Sequence, residues 1–357
     1  MSQILTETVK ENPELKIAFL ACRDTGGTAY TLAHAINHVT NHQAVNVVTQ
    51  QTFIQYPIMV DFADYNRTKI REMLLKSDVL VFLGAMDPFF ESLALNKKML
   101  KDQKKILLCM GSEWRLSRDQ LQVQADKLLG EYKIVLGGAD MFQPIEFMHP
   151  ETHEKKSFGV VDESTIGYLP VVRSFDEIIT KYGMSPRDQQ AVDAFGVPRK
   201  RVVFMHAPTS EVNKGSHIFY RAMTRAQQYC GHTAFQTVHK QPWGTTLGIL
   251  SKADVLFDQA PPFPTAYGAL SVEAGIFKVP SFSQVAPACR DFIKRQTGLD
   301  TPYIVFEDEE DLYKKVVLMA NDPKLRQVFG EANFEYCRKL HDEKPVVDRF
   351  LKIVEGI

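Results

Sequence analysis

The sequence predicts an α/β protein of two domains, each built on a doubly wound parallel sheet. Three observations carry this prediction: a length of 357 residues, short apolar runs that end at Gly, Thr or Asp, and helical patterns between those runs. At roughly 150 residues per domain, a chain of this length forms about two domains. Apolar runs that are buried on both faces, with helices between them, are typical of parallel strands.

Composition and charge exclude several classes of protein. Hydrophobic residues make up 45% and charged residues 24% of the chain, which excludes disordered, collagen-like and coiled-coil proteins. The net charge of −1 gives no chain-wide reason to expect nucleic-acid binding. No apolar run reaches the ~18 residues of a membrane span, and the first 16 residues lack the apolar stretch of a secretory signal. The five cysteines are widely spaced, so we expect a reduced, cytoplasmic protein.

The first domain is predicted over residues 1–172. Its first strand, 16–21, runs into the loop Thr25-Gly26-Gly27-Thr28, and apolar residues at i, i+3, i+4 and i+7 then mark a helix from Ala29. Four further strands are expected at 45–49, 79–84, 105–111 and 133–137. Together these elements describe one doubly wound domain.

The second domain is predicted over residues 198–340, after a Pro-rich linking segment near 171–197. A strand at 201–207 is followed by Lys214-Gly215, which opens a helix, and further strands are expected at 234–238, 254–258 and 279–282. We expect a terminal helix within 341–357 to pack back on the first domain. Two such domains facing each other leave a central cleft at the carboxyl ends of their strands, where ligands of open α/β folds bind.

Gly26 and Gly27 form the first candidate binding loop. Glycines let a backbone turn sharply and let a ligand approach a helix N-terminus, whose free N–H groups favour anions. The loop is neither Gly-x-Gly-x-x-Gly nor a P-loop, so NAD and P-loop nucleotide sites are not indicated. A tight strand–helix turn without a ligand is the open alternative.

The second candidate site is formed by Lys214 and the segment that contains Gly268 and Glu273. A lysine before a helix meets a phosphate as a point charge, and a helix starting after Gly268 presents the amides of Ala269 and Leu270 to an anion. Glu273 lies among apolar residues, where a carboxylate is costly to bury unless it accepts hydrogen bonds, for example from sugar hydroxyls. The alternatives are a solvated lysine and a helix-edge glutamate paired with a lysine.

The order of Gly-Gly loop, Lys-Gly and Tyr-Gly-x-x-x-Val-Glu-Ala-x-x-x-x-Val-Pro resembles the GT-B glycosyltransferases. More narrowly, it is similar to the retaining, nucleotide-sugar-dependent family 4, most specifically over residues 201–281. The resemblance implies that Glu273 binds the ribose hydroxyls and that Lys214 meets the diphosphate of the donor. It also implies that Tyr267, Gly268 and Ala269 meet phosphate or sugar, that Gly26 and Gly27 close over the diphosphate, and that neither a metal nor a cofactor is needed.

The chain departs from this family at two places. Thr265 stands where many members carry a second glutamate, eight positions before Glu273, so contact of Thr265 with the transferred sugar is an open expectation. The phosphate-binding arginine usual before the lysine is missing from residues 209–213. The loss of such a charged contact weakens binding by ~1.5–3 kcal/mol unless another cation replaces it. The candidate replacements are Arg23, Arg115 and Lys240.

Acceptor chemistry has two candidate residues, His206 and Glu113, each at a predicted strand end. A histidine there orients or deprotonates an acceptor hydroxyl, and a buried, hydrogen-bonded imidazole is the equal alternative. His34, His38 and His42 repeat every fourth residue, but the sequence near them offers no carboxylate or cysteine, so we expect a solvated helix face and no metal. We also expect the lysines at 97, 98, 101, 104 and 105 to lie on a solvated helix face, and contact with a membrane or a nucleic acid is the alternative.

The resemblance therefore implies a retaining, metal-independent glycosyltransferase that uses a nucleotide-diphosphate sugar. The acceptor stays open among DNA, polysaccharide, lipid, protein and small molecules. Two alternatives remain: an epimerase or phosphorylase on the same scaffold, and a sugar-nucleotide-binding partner subunit with little activity, which the two departures motivate.

Overall fold

The computed structural model describes residues 13–24, 26–110, 112–143, 145–148, 155–158, 161–183, 201–260 and 266–357, with backbone alone at 112–117, 145–148 and 155–158. The chain divides into two compact units. Unit 1 comprises Met1–Arg173 and Glu343–Ile357, and unit 2 comprises Ser174–Asp342. Unit 2 thus begins at Ser174, whereas the sequence places the start of the second domain at residue 198.

Unit 1 contains nine described strands and four helices before the chain enters unit 2. In chain order these are β1 Lys16–Ala21, α1 Thr28–Val39, β2 Gln43–Val48, β3 Val60–Asp61, α2 Arg67–Leu75, β4 Val79–Leu83, α3 Asp87–Ser92, β5 Lys104–Cys109, α4 Ser112–Leu128, β6 Lys133–Leu136, β7 Ile145–Met148, β8 Lys155–Phe158 and β9 Gly167–Tyr168.

The unit 1 sheet has the strand order β3-β2-β1-β4-β5-β6-β9, and each pair of neighbours is parallel. This is a doubly wound sheet whose order reverses between β1 and β4, so the loop after β1 lies at the topological switch point. The predicted strands are present with boundaries shifted by a few residues. The two-residue strands β3 and β9 and the hairpin β7–β8 are additional, since such short segments carry no measurable periodicity.

Unit 2 begins with a helix inside the segment predicted as a linker. In chain order its elements are α5 Phe175–Tyr182, β10 Val202–His206, α6 Ser216–Tyr229, β11 Thr233–Thr237, α7 Trp243–Leu250, β12 Val255–Gln259, α8 Ala269–Ile276, β13 Ser281–Ser283, α9 Pro287–Thr297, α10 Glu309–Asn321 and α11 Pro323–His341. Helix α5 forms because Phe175 and Ile178 lie on one buried face. The remainder of the predicted linker, 184–197, lies outside the described residues.

The unit 2 sheet is also parallel, with the order β11-β10-β12-β13. Its order reverses between β10 and β12, so the ends of these two strands, at His206 and Gln259, lie at the switch point. Phe219 of α6 stacks on Phe257 of β12 with ring centroids 4.6 Å apart. This contact packs α6 against the sheet next to the switch point.

The last helix, α12 Glu343–Glu355, belongs to unit 1. Val346, Val347 and Phe350 are buried in the core formed by β1 and α1, and the ring of Phe350 lies 5.7 Å from that of Phe19. Among the described residues, no helix combines the length and the apolar composition needed to cross a bilayer.

Candidate functional site

Asp258, at the end of β12, organises the switch point of unit 2. Its side chain is almost fully buried and accepts hydrogen bonds from the backbone N–H of Gly268 at 2.7 Å and the hydroxyl of Ser271 at 2.8 Å. It also accepts from Lys214 Nζ at 3.0 Å. A buried carboxylate needs several such donors to remain charged. Asp258 therefore joins strand β12, the start of α8 and the loop after β10.

Lys214 lies at this strand end, held by two acceptors. Besides Asp258, its ammonium group donates to Gln259 Oε1 at 2.7 Å. The side chain is 20% exposed, whereas that of Asp258 is 1% exposed, so one side of the ammonium group faces outward. The sequence alternative of a freely solvated lysine is wrong, because two of the three ammonium donors are used within the protein.

Gly268 and Ala269 form the start of α8, as predicted. The N–H of Gly268, however, is donated to Asp258, so an internal carboxylate takes one of the amides at this helix end. A Cβ at residue 268 would lie 2.8 Å from Lys214 Nζ and 2.9 Å from Asp258 Oδ2. Only glycine leaves room for that ion pair without displacing it.

Glu273 lies on the same helix and is buried, with 3% of its surface exposed. Its Oε1 accepts a hydrogen bond from the indole Nε1 of Trp243, the first residue of α7, at 2.9 Å. The indole of Trp243 is an uncharged donor, and its hydrogen bond fixes the position of this carboxyl group.

Tyr267, immediately before Gly268, belongs to an aromatic cluster. Its hydroxyl lies 2.8 Å from that of Tyr336 and 3.0 Å from Nε2 of His341, and its ring lies 4.5 Å from that of Tyr303. Tyr267 therefore anchors the segment that leads into α8 to helix α11. This contact fixes the position of the helix start.

His206 is buried beneath the switch point. Its Nδ1 lies 2.8 Å from the carbonyl of Phe257, and its Nε2 lies 2.7 Å from Ser216 Oγ. Since a carbonyl only accepts, Nδ1 carries the proton and Nε2 accepts from the hydroxyl. Burial lowers the pKa of His206 to about 4. This geometry is the buried, hydrogen-bonded imidazole of the sequence alternative, because both ring nitrogens already have protein partners.

In unit 1, Gly26 and Gly27 form a closed turn at the start of α1. Gly27 has φ +66°, and a Cβ there would lie 2.2 Å from the ring of Tyr56, so the residue must be glycine. The carbonyl of Gly26 accepts a hydrogen bond from Arg173, which is fully buried and also donates to the Tyr56 hydroxyl. The loop is thus packed against protein side chains.

Asp24 fills the N-terminus of α1. It is buried and accepts a hydrogen bond from the N–H of Tyr30 at 3.0 Å. Desolvation raises the pKa of this carboxyl, opposed by backbone hydrogen bonds from Tyr30, Ala29 and Thr28 and by the charge of Arg173. The helix end predicted to receive an anion therefore already has a carboxyl group of the protein as its hydrogen-bond acceptor.

The remaining predicted residues fall into two groups: those that the structure does not describe and those with other contacts. Thr265 and the side chains of Glu113 and Arg115 lie outside the described residues. Arg23 donates to Gln50 at 2.6 Å, and Lys240 is exposed, at positive φ, after β11. The replacement of the missing arginine by Arg23, Arg115 or Lys240 therefore stays a prediction.

The histidine row on α1 is solvated at His38, whose side chain is 64% exposed, but it also has a carboxylate partner that the sequence does not indicate. Glu343 of α12 lies 2.6 Å from His38 Nδ1 and 3.9 Å from His34 Nε2. The carboxylate lies more than 300 residues away in the sequence, so no local sequence pattern predicts this contact. Lys105 is not the solvated lysine expected from the sequence. It is 4% exposed and donates to the carbonyls of Leu100 and Gln103.

Sequence reasoning missed Asp24, Asp258, Gln259, Arg173 and Trp243. For Asp258 and Gln259 the available signal was a pair of polar residues that directly follows the apolar residues of a strand, as in Val-Leu-Phe-Asp-Gln. A polar residue at the carboxyl end of a buried parallel strand lies where ligands bind, and it deserves the same attention as the loop that follows it.

Comparisons with known proteins agree on the fold. No protein-family model and no curated protein matches the chain. Anabaena HepE, solved with UDP and glucose, matches with a TM-score of 0.62 at 11% identity, over 96% of this chain and 100% of that one. A glycosyltransferase from Rickettsia africae matches with a TM-score of 0.57 at 11% identity, over 96% and 98% of the two chains.

A third similar structure is that of a Listeria monocytogenes protein assigned as a UDP-N-acetylglucosamine 2-epimerase. It has a TM-score of 0.51 at 11% identity over 96% of both chains. The two Rossmann-like units and these similarities show that the chain has the fold of the GT-B glycosyltransferases.

Proposed function

We propose that the protein is a glycosyltransferase that binds a nucleotide-diphosphate sugar in unit 2 and transfers the sugar to an acceptor. The observation that carries the proposal is that Lys214 and the start of α8 meet at the end of β12, with the buried Glu273 on the same helix. Gly268 and Glu273 are about 7.5 Å apart along the helix axis at 1.5 Å per residue. One extended ligand therefore reaches both.

Each residue has a distinct role in this proposal. Glu273, oriented by Trp243, accepts hydrogen bonds from the ribose hydroxyls, while Lys214 and the first amides of α8 meet the diphosphate. When the bond between the sugar and the phosphate oxygen breaks, negative charge grows on the departing diphosphate. Fixed positive groups then stabilise the transition state more than the bound donor. We propose that the transfer is metal-independent and retains the anomeric configuration.

The glycine loop of unit 1 has a lesser part in this proposal. Its helix end is occupied by Asp24, so we do not assign charge recognition to Gly26 and Gly27. Unit 1 is proposed to take the acceptor. We also propose a reducing, cytoplasmic location, on the wide spacing of the five cysteines in the sequence.

A thermal-shift screen tests the donor site. The purified protein is heated with nucleoside diphosphates and their sugar conjugates, without added metal. A ligand at ~100 times its Kd adds roughly 2.7 kcal/mol of stability. The shift should be selective for one base and should disappear in Glu273→Ala.

Glu335→Ala is the matched control, since Glu335 is an exposed helix glutamate of the same unit. This variant should keep the full shift. No shift of the wild type with any nucleotide would overturn the proposal, and an equal loss in both variants would remove the role of Glu273.

The second candidate function is epimerisation of a nucleotide sugar, which the likeness to the Listeria protein favours. The two reactions differ in one readout. An epimerase converts the sugar nucleotide alone, whereas a transferase releases nucleoside diphosphate only when an acceptor is present. Incubation without acceptor, followed by separation of the sugar nucleotides, distinguishes them.

A further inference from the structure

Gln259, the last residue of β12, carries a buried amide nitrogen that lacks a hydrogen-bond partner within the described residues. The residue is 1% exposed. Buried polar groups are nearly always hydrogen bonded, so an orphaned donor marks strain, a bound water or a place for a ligand. The nitrogen lies at the carboxyl end of a parallel strand beside the switch point, which favours the ligand.

The orientation of this amide is determined by Lys214. The ammonium group of Lys214 only donates, so the atom 2.7 Å from it must be the amide oxygen. A flipped amide would set two donors against each other. The NH₂ group is therefore held on the other side of the planar amide, and it cannot satisfy itself by rotation.

Asp258 holds the other side of the same ammonium group. Because Asp258 and Gln259 are consecutive, β12 supplies both acceptors of Lys214 Nζ, at 3.0 and 2.7 Å. Lys214 and the amide of Gln259 thus form one rigid set of donors on the backbone of a sheet. Ser283 Oγ, on the residue paired with Gln259 in β13, is a second buried polar atom without a described partner.

The charge of Lys214 is already offset by Asp258. A diphosphate at this strand end therefore needs donors beyond the lysine, and no arginine lies in the loop before it. A neutral amide in low-dielectric surroundings is an effective donor to an anion, because it has no water to give up.

We propose that Gln259 is a ligand-binding residue of the donor site and that its Nε2 donates a hydrogen bond to the diphosphate, alongside Lys214. This inference rests on the proposed function, and it assigns to an uncharged amide the place that an arginine holds in the resembled family. The ligand class is an anion with two linked phosphoryl groups.

Calorimetric titration with UDP and with uridine tests the proposal. The Kd of uridine divided by the Kd of UDP measures the affinity gained from the diphosphate. If the thermal-shift screen selects another base, the diphosphate and the nucleoside of that base are used instead. Gln259→Met should lower this ratio about tenfold, as expected for one lost hydrogen bond to a charged group, and should leave uridine affinity unchanged. Gln236→Leu, at an exposed glutamine on β11 of the same sheet, should leave both affinities unchanged.

A double-mutant cycle distinguishes direct contact of Gln259 with the diphosphate from an indirect effect through the position of Lys214. In the Lys214→Met background, Gln259→Met should lower the ratio further if Nε2 touches the diphosphate. No further change in that background would mean that Gln259 acts only through Lys214 and would overturn the proposal. Gln259→Asn, which withdraws the amide by one methylene group, gives the same test if Gln259→Met does not fold.

The remaining outcomes are equally decisive. Wild-type protein that binds UDP, combined with a Gln259→Met variant that keeps the ratio, overturns this inference and leaves the proposed function standing. An equal loss for UDP and uridine overturns it as well, since that result indicates a structural role. Wild-type protein that binds no nucleoside diphosphate overturns both.

Discussion

At the scale of single residues, the central feature is that both helix ends at the switch points carry buried carboxylates. Asp24 caps α1 in unit 1, and Asp258 accepts from the start of α8 in unit 2. Each lies near a cation, Arg173 and Lys214 respectively. The helix dipoles and the cations are thus partly compensated before any ligand binds.

The pair of Lys214 and Asp258 gives a prediction on stability. Lys214→Met leaves the carboxylate of Asp258 buried without its cation, and breaking a buried pair in this way costs about 3–5 kcal/mol. The partial exposure of the lysine reduces this, so we expect about 2 kcal/mol of lost unfolding free energy. The double variant Lys214→Met/Asp258→Asn should be more stable than Lys214→Met alone, because it removes the uncompensated charge.

Urea unfolding of the two single variants and the double variant measures this coupling. Additive losses, with the double variant the least stable of the three, would show that the two side chains contribute independently and would contradict the prediction.

Part of the site could be predicted from the sequence. Lys214, Gly268 and Glu273 were found because each lies just after a strand end or within the helix that follows one, and that relation is local. Their partners could not be found in this way. Trp243 meets Glu273 across 30 residues and Asp258 meets Lys214 across 44, so both contacts exist only after the strands have paired.

At the scale of elements, His206 ties three parts of unit 2 together. Its ring joins the end of β10 to the carbonyl of Phe257 in β12 and to Ser216 at the start of α6. The imidazole is held in one tautomer by a carbonyl on one side and a hydroxyl on the other. The packing of α6 on the sheet therefore depends on a neutral histidine.

This arrangement predicts a loss of stability in mild acid. Burial lowers the pKa of His206 from 6.5 to about 4, so the unfolded chain binds the proton more tightly than the folded one. The stability that the neutral imidazole contributes is fully present above pH ~6.5 and is lost as the pH falls toward 4. By pH 5 the loss of unfolding free energy is on the order of 2 kcal/mol. His206→Gln removes the titrating group and should flatten this part of the stability profile.

Chemical unfolding at pH 7 and pH 5 measures the effect, with His239→Gln as the exposed control. The control should keep the wild-type slope. A wild-type slope in His206→Gln as well would assign the acid sensitivity to other groups.

The strands and helices themselves were largely predictable, for a physical reason. Buried parallel strands such as β1 and β4 consist almost entirely of apolar residues, and the helices that follow them repeat with the period of 3.6 residues. Helix α5 was missed because eight residues in a Pro-rich region carry too little pattern. Strand β3 is a two-residue pairing that its neighbour β2 determines.

At the scale of the whole molecule, unit 1 is completed by a helix that follows unit 2 in the chain. Phe350→Ala should therefore destabilise unit 1 although it lies after residue 342, by about 3–5 kcal/mol for the loss of a buried aromatic ring. The two tryptophans report on the units separately, since Trp114 belongs to unit 1 and Trp243 to unit 2.

Fluorescence of Trp243→Phe, which retains only Trp114, should show earlier unfolding when Phe350→Ala is added. Trp114→Phe, which retains only Trp243, should not. Phe219→Ala, in the core of unit 2, should give the reverse pattern. A shift of the Trp243 signal by Phe350→Ala, with Trp114 unaffected, would contradict the assignment of α12 to unit 1.

The place of α12 in unit 1 also has a consequence for synthesis on the ribosome. The ribosome translates all of Ser174–Asp342 before it reaches Val346 and Phe350, which cover the core around Phe19 in the folded protein. At 5–20 residues per second this delay lasts roughly ten to thirty seconds. During that interval the core around Phe19 lacks the apolar side chains of α12, so we expect the first part of the protein to need chaperone binding if it is not to aggregate.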